Sequence, residues 1–230
     1  MNSPYAAHDQ VYQRLRAQRA HGWGRPGEQE EVFELLRPWL TTPGPAMAPK
    51  VLELGCGAGN LSHILARHGF SVVGIDISPA AIDWAREIAL ERGLAADFRC
   101  GDVVTLDGLA DAEFQHVVDG HCLHCIIGND RALCLRSVRR VIAPEGRFYV
   151  VSMVGEVLDP LRRDNFDPTT QTLFAKGVPV RHIGTPDSVA QEIEAAGFSI
   201  EHLTVTPRQS EADQDDLLIV ARPARFKSPG

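Results

Sequence analysis

Ten consecutive residues constrain this chain most: Val51-Leu52-Glu53-Leu54-Gly55-Cys56-Gly57-Ala58-Gly59-Asn60. Residues 51–54 read as a buried strand, and residues 61–67 as a helix for which Asn60 is an available N-cap. The glycines between them let the backbone turn tightly and approach a ligand closely. A strand, glycine loop and helix in that order put the ligand just outside the carboxyl end of a sheet.

The same alternation continues down the chain. A second strand is expected at 71–75, with Asp76 at its end. Ser78-Pro79 then starts a helix over 80–92 by placing a capping hydroxyl before a proline at the first helical position. Further strands are expected at 97–100, 115–119, 147–153, 199–206 and 217–221. Helices are expected at 129–142, capped by Asn129, and at 185–196, closed by Gly197. Repeated strand–helix units predict an α/β fold, a doubly wound and mostly parallel sheet with both faces covered.

Ahead of this unit, the apolar positions of residues 28–40 recur at helical spacing, and prolines and a glycine in 41–49 make a linker. The expected organisation is therefore an N-terminal helical cover with linker over 1–48, a Rossmann-like domain over 49–222 and a loose tail over 223–230. A lid insertion is expected at about 154–184.

Two ligands suit the glycine loop. A dinucleotide fingerprint needs a third glycine where Asn60 stands. Glu53, expected to point into the same cleft, would repel a pyrophosphate. It would instead attract the cationic amino-acid end of S-adenosylmethionine. Asp76 is placed to accept hydrogen bonds from both ribose hydroxyls of an adenosine. The pattern favours the methyl donor over NAD(P).

These motifs resemble those of the class I S-adenosylmethionine-dependent methyltransferases over about residues 30–222. Residues 51–60 are similar to the family's first motif and 73–78 to its second. Residues 99–103 are similar to the third, which implies that Asp102 bonds the adenine amino group and Val103 lies beside the ring. Residues 116–121 and 135–148 are similar to the fourth-strand motif and to the following helix and strand. The resemblance implies seven strands with the last antiparallel. It also implies cofactor contacts at Glu53, Gly55, Cys56, Gly57, Gly59, Asn60, Asp76, Ile77, Asp102, Val103 and Asp119.

His121-Cys122-Leu123-His124-Cys125 is the most unusual stretch. It has no second C-x-x-C or H-x-x-x-H pair to complete a four-ligand zinc site, so no metal is expected. A redox C-x-x-C belongs at the start of a thioredoxin-like helix, which the pattern does not supply. The segment leaves the sheet where the transferable methyl should lie. Asp119, His121 and His124 are accordingly the candidate catalytic residues, with Asp119 and His121 better placed to face donor and acceptor. In the resembling family this loop often reads Leu-His-His or Leu-His-Cys, so His124 and Cys125 also fit a packing role. The Asn/Asp-Pro-Pro-aromatic signature of nucleobase and glutamine methylation is absent.

Composition limits the partners. A net charge of −7 matches a phosphate backbone poorly, so no nucleic-acid partner is expected. With no apolar run long enough for a signal core or membrane span, the expected location is the cytoplasm, with no membrane partner. The five cysteines read as reduced thiols.

The expected acceptor is a small molecule, with oxygen, nitrogen and sulfur all open. In the lid, Leu158, Leu161, Phe166, Leu173 and Phe174 are expected to wall an apolar pocket. Arg162, Arg163, Arg181 and His182 are candidate anchors for an acidic acceptor, and Tyr12 and Trp23 are candidate covers over the donor. An NAD(P)-dependent oxidoreductase and a non-catalytic adenosine-binding regulator are the alternative readings. Oligomeric state is not legible.

Overall fold

The computed structural model describes Tyr5 and residues 7–40 and 48–225. Most of the expected linker (41–47) and the end of the expected tail (226–230) lie outside the described residues.

A seven-stranded sheet forms the centre. Its strands are β1 (Lys50–Leu54), β2 (Ser71–Asp76), β3 (Ala96–Cys100), β4 (Phe114–Gly120), β5 (Ile142–Val154), β9 (Phe198–Thr206) and β10 (Asp215–Pro223). They lie in the order β3-β2-β1-β4-β5-β10-β9. The first five run parallel, and β10 is antiparallel to both β5 and β9. This is the doubly wound sheet expected from the sequence, with the last strand reversed.

Alternation along each strand sorts the core into two layers. Leu52, Leu54, Val117, Phe148 and Ile219 pack with α5 (Asn129–Val141) and α7 (Pro186–Ala195). Val51, Val72, Val118, Tyr149 and Val220 pack with α2 (Glu28–Leu36) and α3 (Asn60–Arg67). Glu53 shares the parity of Val51 and so faces α3. α4 (Pro79–Glu91) seats Ile82 and Ala85 against Phe98.

Chain order reverses at β1, where β2 lies on one side and β4 on the other. Such a switch point opens a crevice at the carboxyl ends of the strands. Leu54 pairs with Ile75 and with Asp119, so Gly55, Asp76 and Gly120 leave the sheet side by side.

Local differences from the sequence reading have physical causes. Asn60 is not a cap: Gly59 holds that position at φ +77°, and Asn60 Nδ2 donates to the His21 carbonyl at 2.8 Å. Gly128, not Asn129, precedes α5, again without a side-chain cap. The helix expected to reach residue 40 stops at Leu36, and the Trp39 carbonyl accepts the Tyr149 hydroxyl at 2.9 Å. The expected tail is tied down as far as residue 225. Pro223 ends β10, the Ala224 amide donates to Gly197 O at 2.9 Å, and Arg225 pairs with Glu145 at 3.1 Å.

The N-terminal segment contains an unexpected helix, α1 (Ala7–Ala17), docked through Asp9. Asp9 Oδ1 accepts the Ser78 hydroxyl at 2.7 Å and the Ala80 amide at 2.9 Å, at the start of α4. Between β5 and α7 lie a single helical turn, α6 (Pro160–Arg163), and a small antiparallel sheet. Its strands are β6 (Phe166–Asp167), β7 (Thr172–Ala175) and β8 (Val178–His182), with Lys176 and Gly177 turning β7 into β8. Among the described residues no helix is long and apolar enough to cross a membrane.

Candidate active site

A cavity of about 260 Å³ opens at the switch point. Glu53, Gly55, Cys56, Gly57, Asn60, Asp76, Ile77, Asp102 and Val103 all line it, as do His121 and His124. The sequence reading therefore converges on one place. Two of its residues stand behind the wall. Gly59 does not line the cavity, because its Cα faces Phe98 and His63, where any Cβ would lie within 3 Å of both rings. Asp119 does not line it either. Its Oδ1 turns back to accept the Cys122 amide at 2.9 Å, which shapes the loop instead.

The glycine loop is built around close approach. Gly55 and Gly57 sit at φ +59° and +54°, a region L side chains rarely adopt. A Cβ on Gly55 would meet Cys122, and one on Gly57 would lie 2.3 Å from the Tyr12 hydroxyl. Asp76 holds this loop: its Oδ2 accepts the Gly57 amide and its Oδ1 the Ser78 amide, both at 2.9 Å. Its carboxyl is pushed up by burial, against the pull of those two bonds. Asp102 Oδ1 accepts the Val104 amide at 2.8 Å, turning the chain at the end of β3.

Glu53 is buried and accepts the Ser62 hydroxyl. Burial pushes its carboxyl up to about 8, with Asp76 and Asp119 adding to the effect and Ser62 opposing it. A neutral acid therefore stands here until a cation arrives. Burial likewise lifts Asp119 to about 7.

The His–Cys segment forms a tight turn at the end of β4. His121 takes φ +74° and donates its amide to Val151 O at 2.9 Å, so the turn is strained and held by the sheet. The His121 and His124 rings meet edge to face at 5.7 Å. Burial holds His124 well below the usual imidazole range, with the charges of His121 and Arg181 adding to the shift. Asp216 on β10 is pushed up by burial and pulled back by His121. Below the turn, Arg131 donates to the carbonyls of Leu123 at 2.6 Å and Ile126 at 3.3 Å. The same guanidinium pairs with Glu192 of α7.

The cover differs from expectation. Leu158, Leu161, Phe166, Leu173 and Phe174 do not line the cavity, and Leu161 is 79% exposed. The small sheet presents Arg181 instead. Leu173 pairs with Arg181 in register and so lies one strand further out. Arg162 and Arg163 are exposed, while His182 is buried beside Glu192 at 3.9 Å. Tyr12 and Trp23 do line the cavity, joined by Tyr5, His8 and Met153. The sequence reading missed those last three, which lie outside any motif.

Residues 52–150 match the family model described as "Methyltransferase domain". The chain is similar to the ubiquinone biosynthesis O-methyltransferase of Thiobacillus denitrificans, 27% identical over 202 residues, covering 80% of this chain and 81% of the other. Residues 52–150 are thus a methyltransferase domain of the class I S-adenosylmethionine-dependent type. The relative of the same name from Xylella fastidiosa is 30% identical over 133 residues, or 56% of this chain, and the match spans only about half of that relative, 53%. In fold, the chain is similar to the 1,6-didemethyltoxoflavin-N1-methyltransferase of Burkholderia thailandensis, a structure with bound S-adenosylhomocysteine. The TM-score is 0.72 at 19% identity, covering 98% of this chain and 92% of that one.

The residues present fit this family's cofactor, S-adenosylmethionine. The glycine turn leaves its backbone open to a ligand, Asp76 stands on the cavity wall at the end of β2, and Glu53 supplies a carboxyl for a cationic amine. The dinucleotide alternative loses its ground, since Asn60 occupies the third glycine position and the matched family model is a methyltransferase domain.

Proposed function

We propose that this protein is an enzyme that transfers a methyl group from S-adenosylmethionine to a small-molecule acceptor. The observation that carries this reading is the shared cavity: the glycine loop and Asp76 line it together with His121 and His124. The relatives' names support oxygen as the receiving atom.

When bound, S-adenosylmethionine supplies an electrophilic methyl group on a sulfonium. Gly55, Cys56, Gly57 and Asn60 would surround its amino-acid portion, with Glu53 receiving the amine and Gly59 shaping the loop from behind. Asp76 and Ile77 would hold the ribose, and Asp102 and Val103 the adenine. Much of the rate comes from holding the reacting atoms close and in line. His121 would take the acceptor's proton. His124 and Asp119 would fix the turn that presents it.

Residues 1–48 act in this reading as a cover, 49–225 as the catalytic unit and 154–184 as a lid. The acidic net charge supports a cytoplasmic enzyme that acts on neither nucleic acid nor membrane. Calorimetry with S-adenosylhomocysteine and NAD, followed by assay of S-adenosylhomocysteine release with phenolic acceptors, tests the proposal. Binding of NAD alone, or cofactor binding without release for any small acceptor, overturns it.

A further inference from the structure

We propose that Arg181 selects the methyl acceptor, which is a small aromatic hydroxy acid with its carboxylate on Arg181 and its hydroxyl turned to His121. The inference rests on the methyl-transfer reading above.

Arg181 reaches the cavity from β8 and is the one arginine lining it among the described residues. Its guanidinium carbon lies 5.7 Å from the centre of the Trp23 ring, and it donates to its neighbour's carbonyl, Val180 O, at 2.7 Å. Among the described residues no carboxylate stands within 4 Å of it, although Arg131, Arg208 and Arg147 each have one. A half-enclosed guanidinium without a counter-ion is costly unless a ligand supplies one.

Three titratable neighbours of Arg181 are held towards their uncharged forms. His8 and His124 are both held below the usual imidazole range, by burial first and by the charge of Arg181 in part. Burial pushes the Cys125 thiol up to about 11. His8, His124 and Cys125 thus add no charge beside Arg181, whose guanidinium faces the cavity without an ion pair and is a match for an anion, while Glu28 lines the wall near Gly24. A guanidinium meets a carboxylate with two parallel hydrogen bonds, which orients the ligand as well as holding it.

The surrounding walls favour a flat ring. Trp23 meets the His8 ring at 5.5 Å and Tyr12 at 5.6 Å, both edge to face, and Tyr5 stacks with His8 at 6.4 Å. Rings in such surroundings gain from offset and edge contacts. The cavity of about 260 Å³ must hold the donor as well, which leaves room only for a compact acceptor. In the reaction the acceptor oxygen bonds to the methyl carbon as the carbon–sulfur bond breaks. The bonding pair stays on sulfur, and the hydroxyl proton passes to the His121 imidazole.

The test compares 3,4-dihydroxybenzoate with its amide, scored by S-adenosylhomocysteine release from the full chain. The acid should exceed the amide by about thirtyfold in kcat/KM, the size of one charge-assisted contact. Arg181→Gln should collapse that ratio towards one, mainly through KM for the acid, and Arg181→Lys should restore part of it. Calorimetric affinity for S-adenosylhomocysteine should stay within about twofold in both variants, since the contact is to the acceptor. Equal use of acid and amide, no turnover of either by a chain that binds S-adenosylhomocysteine, or loss of that binding in Arg181→Gln each overturns the inference. In the last case Arg181 holds the cofactor's carboxylate instead. Failure of the wild-type chain to bind S-adenosylhomocysteine overturns the methyl-transfer reading itself.

Discussion

Asp76 Oδ2 accepts the Gly57 amide hydrogen at 2.9 Å, tying the end of β2 to the glycine loop that follows β1. The carboxylate that would receive the ribose hydroxyls is thus also the latch that gives the loop its shape. Cofactor affinity and local stability are coupled through one side chain.

Asp76→Ala is therefore expected to do more than remove a ligand contact. It leaves the buried amides of Gly57 and Ser78 without their acceptor, at about 1–3 kcal/mol each. S-adenosylhomocysteine affinity should fall at least about thirtyfold, and thermal unfolding should come several degrees earlier. Calorimetry and a thermal melt on the same preparation check this. Lost affinity with an unchanged melt would mean that the latch is unimportant.

The Tyr12 hydroxyl stands where a Gly57 side chain would be, so the pair can be tested as a cycle. Gly57→Ala should weaken cofactor binding by about tenfold or more, from strain at φ +54° and from displacing Tyr12. Adding Tyr12→Phe should recover part of that loss, because the nearest clashing atom is gone. Strict additivity of the two changes would place Tyr12 elsewhere in solution.

Glu53 gives a pH dependence whose sign follows from its burial. Its folded-state value of about 8 lies above the ordinary carboxyl value of 4.5, so between the two the folded chain holds a proton that the unfolded chain has lost. Stability from this group falls as pH rises across that window, by up to about 1.4 kcal/mol per pH unit. Glu53→Gln should flatten the decline and raise the melting temperature of the unliganded protein at pH 8. A bound cationic amine favours the ionised acid, so S-adenosylmethionine binding should release a proton near pH 7. Calorimetry in buffers of different ionisation enthalpy reads that proton directly. The variant should lose both the proton release and affinity.

How much of this was legible beforehand depended on what each residue is buried against. β1, the glycine turn and Asp76 are visible in sequence because a buried parallel strand must be apolar and a tight turn must be glycine. α1 is not visible. Of its eleven residues only Tyr12 is buried, so it has no apolar stripe, and Asp9 holds it in place through distant partners in α4. Asp119 was correctly placed on β4, but its rotamer is set by the Cys122 amide, a loop contact that spacing does not encode. The lid was located and Arg181 was among its candidate anchors, but its expected apolar wall was not found, because the pairing of β7 with β8 puts Arg181, and not Leu173, at the cavity.

Arg131 offers a test of how the His–Cys turn is held. Truncation to methionine removes the donors to Leu123 O and Ile126 O and strands Glu192. Breaking such a pair costs about 3 kcal/mol, reduced where one partner is partly exposed, as Glu192 is. The unfolding midpoint in urea should drop accordingly. In the surviving folded fraction kcat should fall more than S-adenosylhomocysteine affinity, because the turn carries His121 and not the glycine loop. Equal losses in both would make Arg131 a general stabiliser only.

The two histidines on that turn can be separated by the shape of the pH–rate profile. His124 is buried and held well below the usual imidazole range, so as a base it would stay unprotonated through the neutral region. Its use would leave kcat/KM flat there. His121 lines the same cavity at the strained start of the turn, with its Nδ1 buried and without a hydrogen-bond partner among the described residues. Asp216 interacts electrostatically with it. With His121 as base, His121→Ala should abolish any acid-side limb of kcat/KM. The rate should drop by about 10²–10⁴, with S-adenosylhomocysteine affinity nearly unchanged. His124→Ala should retain the limb, with a smaller loss from looser packing of the turn. A limb that survives in His121→Ala, or a flat profile in the wild type, would assign proton removal to another group. An unchanged rate in both variants would mean that positioning alone drives the transfer.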